Sequence, residues 1–205
     1  MPFRKGDSVL NSTVKAFIIR AVTVILIISI SVGFGFAFDA VCTAIEKGNY
    51  PRPEAYTEFV RKYSEKYGVP EQIVYAVIKA ESDFQSDAVS SMGAVGLMQL
   101  MPSVFEWLSR DMLGESLNAE MLYSPETNIK YGTYYLSYLY NEYGIWDTCF
   151  AAYNCGPGNV NKWLSDSDNI DENGILIKIP NSETAAYVER VNRALEMYNG
   201  LYYEK

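Results

Sequence analysis

Apolar and polar positions recur with a helical period along most of this chain. Residues 53–68, "PEAYTEFVRKYSEKYG", begin with proline in the first turn and stop at Gly68, as a helix does. Residues 69–82, "VPEQIVYAVIKAES", carry Ile73, Val74, Val77 and Ile78 at helical spacing behind Pro70 and Glu71. Pro102 starts "PSVFEWLSRDML", and residues 124–144 have Ser124 as N-cap and Gly144 as stop. "IWDTCFAAYN" ends at a "CGPGN" turn, "NVNKWLSD" is a short helix, and residues 181–200 open with Ser182 and close with Gly200. Only "DENGILIKIP", residues 171–180, alternates with period two around Asn173-Gly174, which predicts a short extended piece. The pattern therefore predicts one mainly α domain with minimal β structure over residues 53–205, without internal repeats.

The N-terminal pattern is different. Ala21 to Phe38 is an uncharged run of 18 residues. As a helix it would span about 27 Å at roughly 1.5 Å per residue, close to a bilayer core. Arg4, Lys5, Lys15 and Arg20 against Asp7 make its flank basic, so that flank belongs on the cytoplasmic side. No Ala-x-Ala site follows the run, which favours an uncleaved single-pass anchor over a cleavable signal peptide. Both readings put the rest of the chain outside the cytoplasm, anchored to the membrane or secreted. Residues 1–38 are expected as basic flank and anchor, 39–52 as a junction ending in "NYPRP", and 53–205 as the working domain.

Charge and composition then narrow the chemistry. Beyond residue 38 the chain holds 13 Lys and Arg against 24 Asp and Glu, a net charge of −11. Such a domain repels phosphates, so nucleic acid is not an expected partner, and a substrate must be held by hydrogen bonds and stacking. Cys42, Cys149 and Cys155 make no disulfide framework; Cys149 and Cys155 could bridge across a sharp turn, and small thiols are the simpler state. There is no histidine at all, which removes Ser-His-Asp and Cys-His catalysis and most catalytic zinc sites. Carboxylates, hydroxyls, amides or lysine must do the work.

One carboxylate is placed to do it. Glu81 follows Val77 by four residues and Ile78 by three, so it falls on the apolar stripe of its predicted helix. Desolvation there would raise its pKa and suit it to general acid catalysis; a solvated, frayed helix end is the alternative. Next to it, Gly93 and Gly96 permit tight turns and close approach by a ligand. Met98 and Met101 offer flexible apolar walls or core packing, and Gln99 brings both a donor and an acceptor.

The assembled pattern resembles the catalytic segment of the lytic transglycosylases of the soluble-lytic-transglycosylase type, relatives of goose-type lysozyme. The residues that carry the resemblance are Glu81-Ser82, Ser90, Gly93-Ala94, Gly96-Leu97-Met98-Gln99 and Met101-Pro102. Three further stretches match in order: "NIKYGTYYL" from Asn128, "AAYNCGPGNV" from Ala151 and "IPNSETAAYVERV" from Ile179. Together they cover about residues 70–192. Ser86 stands where the family commonly has proline, and Cys155 where it commonly has alanine.

The resemblance implies a lysozyme-like helical domain and a site. Glu81 would be the single catalytic acid and base. Ser90, Gln99 and Met101 would line sugar subsites, with Met98 beside them. Tyr153 and Asn154 would face the acid across the cleft, and Glu183 would contact substrate at the rim. Read alone, Tyr153 and Asn154 could simply close a helix on a glycine turn, and Glu183 could cap a helix N-terminus. The implied reaction is cleavage of peptidoglycan glycan strands, with no metal or cofactor. Three competitors stay open: a hydrolytic lysozyme using Asp83, Asp87 or Asp147 to hold water, a noncatalytic wall-binding module, and an anchored structural protein. The last would use Tyr131, Tyr134, Tyr135 and Tyr138 as an interaction face, where core packing is the plainer use of such a stripe.

Overall fold

Prolines open the helices and left-handed residues close them, largely where the pattern predicts. In this computed structural model, which describes residues 6–203, the chain divides into two units, residues 1–49 and 50–205. The first unit contains one helix, α1 (Gly6–Asn49). From Val14 onward α1 is long and apolar enough to cross a membrane, with a mean hydropathy of 2.4 in its most apolar window and none of that window buried. The helix runs through most of the stretch expected as a junction, because nothing before Pro51 removes a backbone donor.

The second unit is a bundle of α2 (Glu54–Tyr67), α3 (Glu71–Ser82), α4 (Pro102–Glu106), α5 (Pro125–Tyr143), α6 (Trp146–Cys155), α7 (Pro157–Leu164) and α8 (Ser182–Tyr198). α3 packs on α8, α2 on α5, and α6 against both α5 and α8. The core between them is formed by Val74, Tyr75, Val77, Ile78, Phe105, Leu136, Leu139, Phe150 and Val191, all fully buried or nearly so. Burying side chains of this size contributes about 1.5–3 kcal/mol each. No strand forms among the described residues. Single antiparallel bridges pair Val89 with Val95, Val95 with Leu100, and Ile170 with Leu176.

Four boundaries differ from the expectation, each for a local reason. The helix from Pro102 becomes a wider π-helical turn over Trp107–Met112, with the Leu113 amide donating to the Leu108 carbonyl at 3.0 Å. α7 starts inside the expected "CGPGN" turn: Gly156, at φ 84°, reverses the chain alone and Pro157 takes the first helical position. In α8 the cap is Asn181, whose side chain accepts from the Thr184 amide at 2.9 Å. Gly200 does not end that helix; a π turn over Asn199–Tyr203 continues it.

That last turn is held by the other end of the domain. The Tyr198 hydroxyl donates to the Pro51 carbonyl at 2.9 Å and Tyr202 to the Tyr50 carbonyl at 3.0 Å. Tyr203 donates to Glu71 at 2.9 Å, and Glu71 also accepts from Arg52 at 3.0 Å. The Arg52 guanidinium lies 5.0–5.4 Å from the rings of Tyr75, Tyr202 and Tyr203, within cation–π range.

The tyrosine stripe of α5 is mostly core. Tyr131 is fully buried and donates to Glu115 at 2.8 Å, and Tyr135 is buried with its ring 6.4 Å from Trp107 and 5.3 Å from Tyr153 of α6; Tyr134 and Tyr138 are partly exposed. The three cysteines are free thiols, with Cys149 buried and Cys42 and Cys155 half-buried.

Candidate active site

The apolar stripe of α3 ends at Glu81, and the chain turns away immediately after it. Asp83 and Phe84 take positive φ values of 50° and 65°, and Gln99 takes 48°. These are the non-glycine residues with left-handed backbone among the described residues, and all flank Glu81, so local strain is concentrated at this one place. Ser82 ties the turn down by donating to the Leu97 carbonyl at 2.7 Å. The following loop folds on itself, with the Ser90 amide donating to Ala94 at 2.9 Å and the Ser90 hydroxyl accepting from the Ala94 amide at 3.0 Å.

Asn128 on α5 fastens this loop to the bundle. Its amide nitrogen donates to the carbonyls of Val95 (2.8 Å) and Leu122 (2.9 Å), and its oxygen accepts from the Met98 amide at 2.7 Å. Gly96, at φ 82°, passes so close that a Cβ there would strike the Asn128 side chain and lie 2.6 Å from the Leu122 carbonyl. Only glycine meets both demands.

The result is a cleft of about 480 Å³ lined by Glu81, Ser90, Gln99, Met101, Tyr153, Asn154 and Glu183, among others. A second depression of about 390 Å³, lined by Lys79, Asp83, Gln85 and Val89, shares Glu81, Ser90 and Gln99 with the first. Glu81 thus sits where two grooves meet. Its side chain is only partly exposed, and desolvation raises its pKa from 4.5 to about 7, opposed by the Tyr187 hydroxyl and by Arg190.

Seven of the eight expected site residues line this cleft, and one does not. Met98 is fully buried; its sulfur lies against Gly132 of α5, where any Cβ would collide with it. It supports the site through its backbone, whose carbonyl accepts from the Tyr153 hydroxyl at 2.8 Å. Met101, by contrast, is 36% exposed on the cleft wall. Gln99 donates both amide protons inward, to Ala88 (3.1 Å) and Gly96 (2.8 Å), which leaves only its oxygen for a ligand. Asn154 is exposed, and its oxygen accepts from Thr184 at 2.9 Å, while its amide protons meet no acceptor among the described residues. Glu183 is exposed on the first turn of α8; with Asn181 as the cap, its place on the cleft is not explained by capping.

The carboxylates proposed to hold water are elsewhere. Asp83 pairs with Lys79 at 2.5 Å on the second depression, and Asp147 accepts from Asn192 at 2.9 Å. Neither Asp83, Asp87 nor Asp147 lines the main cleft, whose carboxylates among the described residues are Glu81 and Glu183.

Tyr187 is the residue the sequence reading left without a role. It is 1% exposed, and its hydroxyl meets no hydrogen-bond partner in good geometry, yet it acts on the Glu81 carboxyl from α8. It stands in the last of the four matched motifs, so that motif was the available signal. Tyr187→Phe is expected to leave the fold intact, since the buried ring is kept and the hydroxyl makes no well-aligned bond elsewhere in the core. It should raise the Glu81 pKa further, moving the alkaline limb of any pH–activity profile upward. An unchanged limb would refute the contact.

A helical bundle whose cleft centres on one desolvated glutamate defines a lysozyme-like class of domain. Residues 58–175 match the family described as "Transglycosylase SLT domain", and the chain belongs to that family. Similar curated proteins include the soluble lytic murein transglycosylase of Escherichia coli K12, 37% identical over 145 residues, spanning 68% of this chain and 22% of that one. Another is the membrane-bound lytic murein transglycosylase C of Serratia proteamaculans, 36% identical over 173 residues, spanning 72% of this chain and 47% of the relative. The chain thus spans less than half the length of these relatives. Among solved structures, the 70 kDa soluble lytic transglycosylase of E. coli superposes with a TM-score of 0.69 at 32% identity, over 78% of this chain and 26% of that one. An inactive glutamate-to-glutamine mutant of the lytic transglycosylase Slt from Pseudomonas aeruginosa gives 0.64 at 33% identity, over 72% and 24%. The fold is mainly α and lysozyme-like, as the sequence pattern and the resemblance implied.

Proposed function

We propose that this domain cleaves the β-1,4 bond between N-acetylmuramic acid and N-acetylglucosamine in peptidoglycan, leaving 1,6-anhydromuramic acid ends. The observation that carries the proposal is a single partly buried carboxyl at the meeting of two grooves, raised to about 7 by desolvation. A group titrating there can give and take a proton near neutrality. The family and the murein transglycosylase names of its relatives support the substrate, and the neighbour inactivated by replacing a glutamate with glutamine supports an essential acid.

Protonated Glu81 donates to the glycosidic oxygen as the bond to C1 breaks. The substrate's own N-acetyl oxygen stabilises the electron-poor C1, a substrate-assisted route that needs no second carboxylate. Glu81, now a base, accepts the proton of the muramic C6 hydroxyl as that oxygen bonds C1. No water enters, and Glu81 ends protonated as it began. The Asn154 amide, the Gln99 oxygen, Ser90 and Met101 form the bed that orients the sugars, with Glu183 at the rim.

The apolar helix α1 is read as a single-pass anchor with its basic flank in the cytoplasm and the domain outside. The exposed apolar residues of its most apolar window and the membrane-bound relatives support this.

Mass spectrometry of the products tests the reaction. Anhydro ends are one water lighter than reducing ends. Reducing ends would mean hydrolysis, with Glu183 as the remaining cleft carboxylate able to hold water.

A further inference from the structure

We propose that Trp107 and Tyr138 form an outer stacking position for a further sugar ring, one helical turn beyond the cleft. The proposal deepens the reading of the cleft as a glycan site and rests on it. Neither residue belongs to the four matched motifs, which end at Pro102 and Leu136 in this part of the chain.

The placement follows from two neighbouring helical segments. Val104 and Tyr135 line the cleft. Trp107 lies three residues after Val104, and Tyr138 three after Tyr135, so each continues its helix face by about one turn. Their rings meet edge to face at 5.1 Å and 83°. Tyr138 also stacks on Tyr135 at 6.5 Å, Trp107 meets Tyr135 at 6.4 Å, and Tyr135 lies 5.3 Å from Tyr153 beside Glu81. A continuous aromatic path therefore leads outward from the acid.

Exposure changes along that path in the direction a binding surface requires. Tyr153 and Tyr135 are 9% and 5% exposed and serve as support, whereas Trp107 and Tyr138 are partly exposed. Trp107 is also where the α-helix gives way to the wider π turn, a local feature frequently found at functional sites. The occupant is an N-acetylhexosamine ring of the same strand. The path continues the cleft, carries no charge, and offers aromatic faces to the apolar face of a pyranose.

The test compares kcat/KM of the full-length protein on purified glycan strands of two lengths, tetrasaccharides and strands of eight or more sugars. In W107A and Y138A the ratio of long- to short-strand kcat/KM is expected to fall about three- to ten-fold, mainly through KM, and to be restored in W107F and Y138F. An unchanged ratio in folded variants overturns the outer position, since a purely structural role would depress both substrates alike. Wild-type protein that cleaves neither length overturns the glycan reading itself. If the alanine variants do not fold, tryptophan fluorescence decides: the change on adding long strands to E81Q protein should vanish in E81Q/W107F. Its persistence would overturn the proposal, because a tryptophan other than Trp107 would then be sensing the strand.

Discussion

Glu81→Gln protein is expected to fold normally and to release soluble fragments from purified peptidoglycan about 10²–10⁴-fold more slowly than wild type. The amide fills the same volume but has no proton to give. Retained activity would reject Glu81 as the acid. The wild-type rate should also fall as pH rises through about 7, where the acid is lost.

The same substitution has a stability signature of opposite sign. The folded carboxyl titrates at about 7 and the ordinary value is 4.5, so between these limits the folded state binds more protons than the unfolded state. Stability therefore drops as pH rises through that window, by up to about 3 kcal/mol at 1.36 kcal/mol per pKa unit. Glutamine carries no such cost. The Tm of the variant relative to wild type should grow between pH 4.5 and pH 7 and then level off. A gap independent of pH would mean that Glu81 is solvated in the folded protein.

Asn128→Asp should be as damaging to the fold as Glu81→Gln is to the chemistry. The shape is kept, and the Met98 amide still finds an acceptor. Two donors disappear, however, and a carboxyl oxygen is set against the carbonyls of Val95 and Leu122. The Leu122 carbonyl loses its donor, which costs about 1–3 kcal/mol, while Val95 keeps the Leu100 amide at 3.1 Å, so a loss of about 2 kcal/mol or more is expected in urea unfolding. Activity should fall with it, because Asn128 holds the loop carrying Gln99 and Met101. A loss under about 1 kcal/mol would mean that the loop is braced elsewhere.

Most of the helices were legible because proline, glycine and apolar spacing act locally. α3 was placed to within two residues by Pro70, its apolar stripe and the acid at its end. The conformation after Glu81 was not legible, since nothing in "SDF" predicts left-handed backbone at Asp83 and Phe84. That conformation is imposed by tertiary contacts such as Ser82 to Leu97. Met98 shows the limit of motif reading. Its neighbours in the run reach the cleft, but Gly132, 34 residues away, opens the core space that its side chain fills. Asn128 opens one of the matched motifs, but its bonds to Val95, Met98 and Leu122 depend on the fold. The work of Tyr187 on Glu81 likewise becomes visible only when α8 packs on α3.

The contact between the tyrosines of the final turn and Tyr50, Pro51 and Arg52 also bears on the order in which the domain is completed. The bonds from Tyr198 and Tyr202 close loops of 147 and 152 residues, among the longest closures in the domain. Closing such a loop is entropically costly until the intervening helices have docked. During synthesis the segment from Tyr50 to Arg52 therefore emerges early and waits, its guanidinium and carbonyls hydrated, until Tyr198–Tyr203 have been made. The seam beside the first helix of the domain is among its last parts to form.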